Sequence, residues 1–198
     1  MPDHKLKRVF IIHGWDGNPE EGWFPWLKRE LELLGFEVCI PQMPNAAEPR
    51  IVPWVKALEE VVGDLDNQTY FIGHSMGCQA IVRYLAGNQS SVVIGGAVFV
   101  AGFFTRLTNI ENNDLEKSVV KEWLETSLDF DRVRSHLKSS WAVFSDNDPF
   151  VPLDNQKAFV NELGSSVLVE HDRQHFSGQT STFDLPIVKD LLVKLAGR

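Results

Sequence analysis

At 198 residues, 43% hydrophobic and 11% aromatic, the chain holds enough apolar side chains for one well-buried core and too little length for two, so residues 1–198 are expected to form a single domain. A formal net charge of −8, with no local cluster of lysine and arginine to reverse it, argues against nucleic acid and membrane surfaces as partners. Cys39 and Cys78 are too few for a disulfide scaffold, the apolar run near the start is shorter than the roughly seven residues of a secretory signal, and no stretch reaches the ~18 of a membrane span, so a cytoplasmic protein is expected.

The chain opens with a β-rich apolar run at 8–12. It ends in Ile12-His13-Gly14-Trp15-Asp16-Gly17, a loop whose backbone amides are free to face a site beyond the strand. Helical periodicity follows at 23–34, a second strand at 37–40 and a second helix at 52–62. A third strand at 69–72 runs directly into Gly73-His74-Ser75-Met76-Gly77, and apolar Ala80, Ile81, Tyr84 and Leu85 then recur at helical spacing over 76–86.

This is the G-x-S-x-G pattern in the context it requires, a strand before and a helix after. Glycine at 73 and 77 lets strand and helix backbones pass closely, which lifts the Ser75 hydroxyl above the sheet and aims the free amides at the helix start toward it. The alternative is a glycine-rich turn that binds phosphate or nothing. Ser75 is the expected nucleophile, and the amides of Trp15 and Met76 are the expected oxyanion donors.

After a fourth strand at 96–100, residues 102–129 break the rhythm: they are long for a loop, acidic at Glu111, Asp114 and Glu116, and carry one Val119/Val120/Trp123/Leu124 cluster. A small cap over the site is expected, with a surface excursion carrying one amphipathic helix as the alternative. So little covering material suits short acyl groups. A helix at 130–138 and a strand at 141–145 lead to Asp146-Asn147-Asp148-Pro149-Phe150, where Pro149 holds Asp148 extended. Asp148 is the expected acid and Asp146 its rival.

A helix at 154–163 and a strand at 166–170 lead to His171-Asp172-Arg173-Gln174-His175-Phe176, and a last helix spans 186–195. His175, a few residues past the strand, is the expected base, with His171 its rival. His13 and His74 are expected to pack or hydrogen-bond locally rather than accept the serine proton. Of the tryptophans near this edge, Trp15, Trp23, Trp26 and Trp54, most are expected to pack in the core. Strands alternating with helices throughout predict an α/β fold with a doubly wound, mostly parallel six-stranded sheet, whose ligands bind beyond the carboxyl ends of the strands. No zinc-ligand spacing and no phosphate-loop motif occurs, so neither metal nor cofactor is expected.

These residues together resemble the small serine hydrolases typified by retinoblastoma-binding protein nine and its bacterial relatives, within the α/β-hydrolase superfamily. The resemblance covers nearly the whole chain, through Gly22-Trp23, Met43-Pro44, the Gly73–Gly77 pentapeptide, Asp148-Pro149-Phe150-Val151-Pro152 and His175-Phe176. It implies a compact α/β-hydrolase with Ser75, Asp148 and His175 as a catalytic triad. Gln174 stands where the family pattern has glycine, and residues 102–129 need not resemble the family's own segment, so substrate preference does not carry over. Leu-x-Cys-x-Glu, the motif that retinoblastoma-type pockets read, is absent, and a protein-binding role is not implied. The expected activity is hydrolysis of a small ester or amide through an acyl-enzyme, and the alternative is a non-catalytic binding protein of the same fold.

Overall fold

In the computed structural model, which describes residues 6–110 and 112–197, the short apolar runs are strands and the segments between them carry the helices. Glu111, one of the acidic residues noted in the 102–129 segment, lies outside the described residues. The strands are β1 Lys7–Ile12, β2 Phe36–Cys39, β3 Thr69–His74, β4 Gly96–Val100, β5 Ser140–Ser145 and β6 Ser166–Glu170. The helices are α1 Phe24–Leu33, α2 Ile51–Val62, α3 Met76–Gly87, α4 Asp114–Glu125, α5 Phe130–His136, α6 Gln156–Leu163 and α7 Pro186–Leu195.

All five strand pairings are parallel, so the sheet, expected to be mostly parallel, is wholly so, in the order β2-β1-β3-β4-β5-β6. The order reverses direction between β1 and β3. At their carboxyl ends, where Ile12 is in register with Gly73, lies the switch point beyond which ligands bind in folds of this kind.

Alternation along β1 shows how the two faces are filled. Val9 and Ile11 enter a core built with α1 and α7, whereas Phe10 and Ile12 enter the larger core under α2, α3, α5 and α6. β3 and β4 are buried along their whole length, as interior strands of a covered parallel sheet must be, while β6 at one edge is half-exposed. Pro25 and Pro186 occupy the first turns of α1 and α7, where a missing N–H costs nothing. α2 stops at Gly63 and α6 at Gly164, both at positive φ.

The elements differ from the sequence expectation mainly at their ends. β3 runs two residues further because His74 still pairs with Val100 of β4. The helix expected over 130–138 ends at His136, since Leu137 turns extended and bridges to Ile94. The helix expected from 154 begins as a tighter 3-10 turn over Leu153–Asn155. Within 102–129 the expected amphipathic helix is α4, capped by Asn113, whose side chain accepts the Glu116 N–H at 2.9 Å, and buried through Val119, Val120 and Trp123. No helix among the described residues is long and apolar enough to cross a membrane.

Phe99, in the middle of β4, is fully buried with its ring 5.5 Å from that of Phe159. Phe99→Ala is expected to cost about 3–5 kcal/mol through the cavity it leaves, to be read from the urea midpoint at constant m.

Candidate active site

Between the end of β3 and the start of α3 the chain reverses in one residue. Ser75 sits at φ 52° and ψ −117°, a strained conformation for a residue with a side chain, and its backbone is held from both sides. Its N–H donates to the Val100 carbonyl at 2.8 Å, and its own carbonyl accepts the Cys78 N–H at 3.0 Å. A Cβ on Gly77 would stand 2.2 Å from the Ile12 carbonyl oxygen, and one on Gly73 would stand 2.8 Å from Cys78 Cα. Only glycine fits at either place. Cys78, three residues on, is no rival nucleophile, because burial pushes its thiol well above the usual range.

Asp148 lies on the loop after β5 with its side chain 1% exposed. Its Oδ1 accepts the N–H groups of Phe150 at 2.8 Å and Val151 at 3.0 Å, and its Oδ2 lies 2.8 Å from Nδ1 of His175. That carboxylate fixes the proton on Nδ1, which leaves Nε2 of His175 as the free acceptor. The imidazole is 12% exposed and borders the same cleft as Ser75, with Phe150 edge-on to it at 5.2 Å. Among the described residues the Ser75 hydroxyl makes no hydrogen bond, as is common before a substrate tightens such a site.

The loop bearing His175 is held tightly. His74 Nε2–H donates to the His175 carbonyl at 2.8 Å, and Trp23 Nε1–H donates to the Phe176 carbonyl at 2.8 Å. Gln174, where glycine was the family expectation, takes φ 48°, and its N–H donates to Asn147 Oδ1 at 2.8 Å. The left-handed backbone is thus adopted without glycine.

The rival residues face elsewhere. Asp146 pairs with His171 at 2.5 Å on the surface, where the His171 side chain is 89% exposed. The Asp172 N–H, and then His171, hold the Asp146 carboxyl below its ordinary range, and Asp146 in turn holds His171 above its own. His13 is buried, which lowers its pKa, and both its nitrogens are engaged: Nδ1–H donates to the Gly14 carbonyl at 2.8 Å and Nε2 accepts the Met43 N–H at 3.0 Å. Burial, and then the nearby His175, push His74 down to about 3, so it is a neutral donor. Neither ring is placed to take the serine proton.

A cleft of about 510 Å³ opens over this edge of the sheet. Trp15 and Met76 border it, and among the described residues neither of their amides donates a hydrogen bond. Trp23 and Trp54 are core residues, and Trp26 lies under the Lys189 ammonium. The far wall comes from the 102–129 segment, through Phe103, Leu107, Asn109, Ile110, Leu115 and Glu116.

Sequence reading missed what holds that wall. The buried Asn155 accepts the N–H groups of Phe104 and Thr105, each at 3.0 Å, and donates to the Arg106 carbonyl at 3.0 Å. Thr108 N–H donates to the Phe150 carbonyl at 2.9 Å, and Asn109 Nδ2 donates to the Pro149 carbonyl at 2.8 Å. At the other end, Arg83 Nη2 donates to the carbonyls of Trp123 at 2.8 Å and Thr126 at 3.0 Å. Glu21 was missed as well: it lines the cleft from the loop already singled out after β1. Among the described residues no group of three His, Cys, Asp or Glu side chains is placed to hold a metal.

A family model described as serine hydrolase matches residues 9–194. The chain belongs to the serine hydrolase family. The match bears out the family resemblance read from the motifs, and two curated relatives agree with it. The Bacillus subtilis (strain 168) protein YdeN is 31% identical over 186 residues, covering 94% of each chain. The rat serine hydrolase RBBP9 is 24% identical over 172 residues, covering 86% of this chain and 87% of that one. The solved structure of the B. subtilis ydeN product superposes with a TM-score of 0.88 at 30% identity, over 98% of this chain and 100% of that one. Est1E from Butyrivibrio proteoclasticus, 17% identical, shares the fold with a TM-score of 0.72 over 100% of this chain and 91% of its own.

The elbow packing gives a contrast between two glycines of one helix. Gly77→Ala is expected to destabilise this hydrolase by more than about 3 kcal/mol, since backbone must move to admit the methyl group. Gly87→Ala, with no atom within 4 Å of the added carbon, is expected to be neutral or to raise stability by up to about 1 kcal/mol. Urea denaturation of the two variants measures both.

Proposed function

We propose that this serine hydrolase cleaves esters of short acyl groups through an acyl-enzyme intermediate, with Ser75, His175 and Asp148 as its triad. The observation that carries the reading is the 2.8 Å contact between Asp148 Oδ2 and His175 Nδ1 beside the cleft that Ser75 borders. Ser75 Oγ attacks the ester carbonyl carbon while His175 Nε2 takes its proton. The amides of Trp15 and Met76 donate to the oxygen as it becomes negative. The tetrahedral intermediate collapses, the bond to the alcohol oxygen breaks, and His175 returns the proton to that oxygen. Water then attacks the acyl-serine with His175 again as base, releasing the acid and restoring Ser75. Asp148 keeps the imidazole in the tautomer that makes each transfer possible.

The same triad serves amide bonds, and no cofactor enters any step. The non-catalytic alternative loses ground here, because a binding surface gains nothing from a serine held at φ 52° beside a buried histidine and carboxylate pair. We read residues 102–129 as a cap on one domain, and Leu107 and Ile110 as part of the acyl side of the cleft. A cytoplasmic protein that binds small molecules rather than nucleic acid is supported by the two free thiols, Cys39 and Cys78, and by the net charge of −8.

Ser75→Ala and His175→Ala are each expected to lower turnover of p-nitrophenyl acetate by at least about a thousandfold, because triad members act as a unit. Circular dichroism should stay unchanged, and Ser75→Ala should lose labelling by a fluorophosphonate probe. A folded Ser75→Ala protein with near-normal turnover would sink the mechanism. Asp148→Asn should cost about 10⁴ in rate, whereas Asp146→Asn, at the surface, should cost little.

Acyl length is the second measure. Phe103, Leu107, Ile110 and Leu115 share this wall with the polar Asn109, Asn112, Asn113 and Glu116, so an acyl chain finds only interrupted apolar cover and further methylenes gain little of the roughly 0.8 kcal/mol that full burial of each would give. For p-nitrophenyl esters kcat/KM is expected to peak at about two to six acyl carbons and then flatten or fall. A steady rise to long chains would show an extended apolar groove instead.

A further inference from the structure

Three carboxylates line the active-site cleft, Asp16, Glu21 and Glu116, and none of the described lining residues is a lysine or arginine. None of the three takes part in an ion pair among the described residues, whereas ten other acidic groups there lie within 4 Å of a lysine or arginine nitrogen. The cleft therefore presents uncompensated negative charge to whatever enters, on a molecule whose net charge is already −8. It is also built to receive a ligand: Ser75 is 8% exposed, borders the cleft, and has a hydroxyl without a hydrogen-bond partner among the described residues.

The three are not equivalent. Asp16 is exposed, and Glu116 accepts the Asn112 N–H at 2.7 Å at the rim. Glu21 is half-buried, wedged between the loop after β1 and the loop that follows His175. Its Oε2 lies 3.2 Å from where a Cβ on Gly17 would stand, and its Cγ lies 3.7 Å from the corresponding point on Gly178. Burial pushes its carboxyl above the ordinary range, opposed first by a hydrogen bond from the Asn18 backbone N–H; the charge of Asp16 adds to the shift and that of His175 opposes it. In the reaction proposed above, His175 hands its proton to the departing alcohol oxygen. The alcohol half of the ester is thus the part that lies toward His175, on the side of the cleft where Glu21 packs against Gly178.

We propose that the cleft selects esters whose alcohol half carries a positive charge, such as quaternary or primary ammonium alcohols, and that Glu21 is the carboxylate that recognises it. The inference rests on the ester-hydrolase reading and adds the substrate class. A cationic group seated against a half-buried carboxylate keeps more of its Coulomb attraction than a surface pair does, so the preference over an uncharged group of the same shape should be about tenfold.

The test compares kcat/KM for acetylcholine with that for its uncharged isostere, in which carbon replaces the ammonium nitrogen, on the full chain at low salt and pH 8. The wild type should favour the cationic ester by about tenfold. Glu21→Gln should bring the ratio close to one, Asp16→Asn should lower it less, and Glu60→Gln, a charge control on the outer face of α2, should leave it unchanged. Thermal denaturation confirms that each variant is folded. A wild-type ratio near or below one, or a tenfold ratio that survives Glu21→Gln, would overturn the inference while leaving the ester-hydrolase reading intact. Cleavage of p-nitrophenyl acetate but of neither choline-type ester would overturn the inference alone, and failure to cleave all three esters would overturn the reading and the inference with it.

Discussion

How closely α3 approaches the ends of β1 and β3 decides the rest of the site. With no side chain at Gly77, the first turn of the helix lies directly against the Ile12 carbonyl, and with none at Gly73 the strand backbone passes close to Cys78. A helix that starts so near the strand leaves a single residue in which to reverse the chain, and Ser75 takes the left-handed conformation that results. The strain, of order 1–3 kcal/mol, is opposed by the Ser75 N–H bond to Val100 and by a helix buried almost all round from Met76 to Leu85. The same approach sets the serine beside the loop after β1. A Cβ on Gly14 would stand 3.1 Å from Ser75 Cβ and 3.4 Å from the His74 carbonyl oxygen, so the loop after β1 lies directly against the elbow.

The His175 loop is registered to this elbow by one bond. His74, the residue before Ser75, donates from Nε2 to the carbonyl of His175. Burial keeps that ring neutral and therefore able to donate from one nitrogen only, so the contact has a defined direction. The histidine loop carries Asp172, Gln174 and Phe176 at positive φ, an arrangement that costs about 1–2 kcal/mol per residue in isolation. It persists because Phe176 is fully buried in the core with α1 and α7, and because Trp23 and Asn147 satisfy its backbone groups. Packing on one face of the sheet thereby holds the imidazole above its edge.

This separation of local from distant causes explains what could be read in the sequence. The six strands were legible because buried parallel strands are short apolar runs between helical periods, and Ser75, Asp148 and His175 because each stands just past a strand end. The end of the helix at His136 was not legible, since it depends on a bridge from Leu137 to Ile94, more than forty residues back along the chain. Asn155 looked like an ordinary first-turn residue; its importance comes from meeting Phe104 and Thr105, about fifty residues earlier. Gln174 departs from the glycine expected there, yet the backbone it adopts is the one glycine would favour, because Asn147 and the buried Phe176 impose it. Glu21 gave no local signal, as one of two adjacent glutamates, Glu20 and Glu21, in a polar loop.

The 102–129 segment, read above as a cap, is tied down at both of its legs, and to different parts of the machinery. Its first leg joins the acid loop through Asn155, Thr108 and Asn109. Its second leg, α4, joins α2 and α3: Glu122 accepts from Arg50 at 2.9 Å and from the Ile51 N–H at 2.9 Å, while Arg83 and Gln79 hold the Trp123 carbonyl. Opening such a cap as one body would break both sets of bonds together, each with a net contribution of about 0.5–1.5 kcal/mol. The cleft is therefore better understood as a walled site than as a lidded one. The wall is also mechanically joined to the chemistry. The carbonyls of Pro149 and Phe150 that accept from Asn109 and Thr108 belong to the turn whose N–H groups hold the Asp148 carboxylate, and the Phe150 ring packs edge-on against His175. A ligand that presses on Leu107 and Asn109 thus bears on the same turn that holds Asp148 and packs against His175, so fit along the wall and alignment of that pair are one mechanical property.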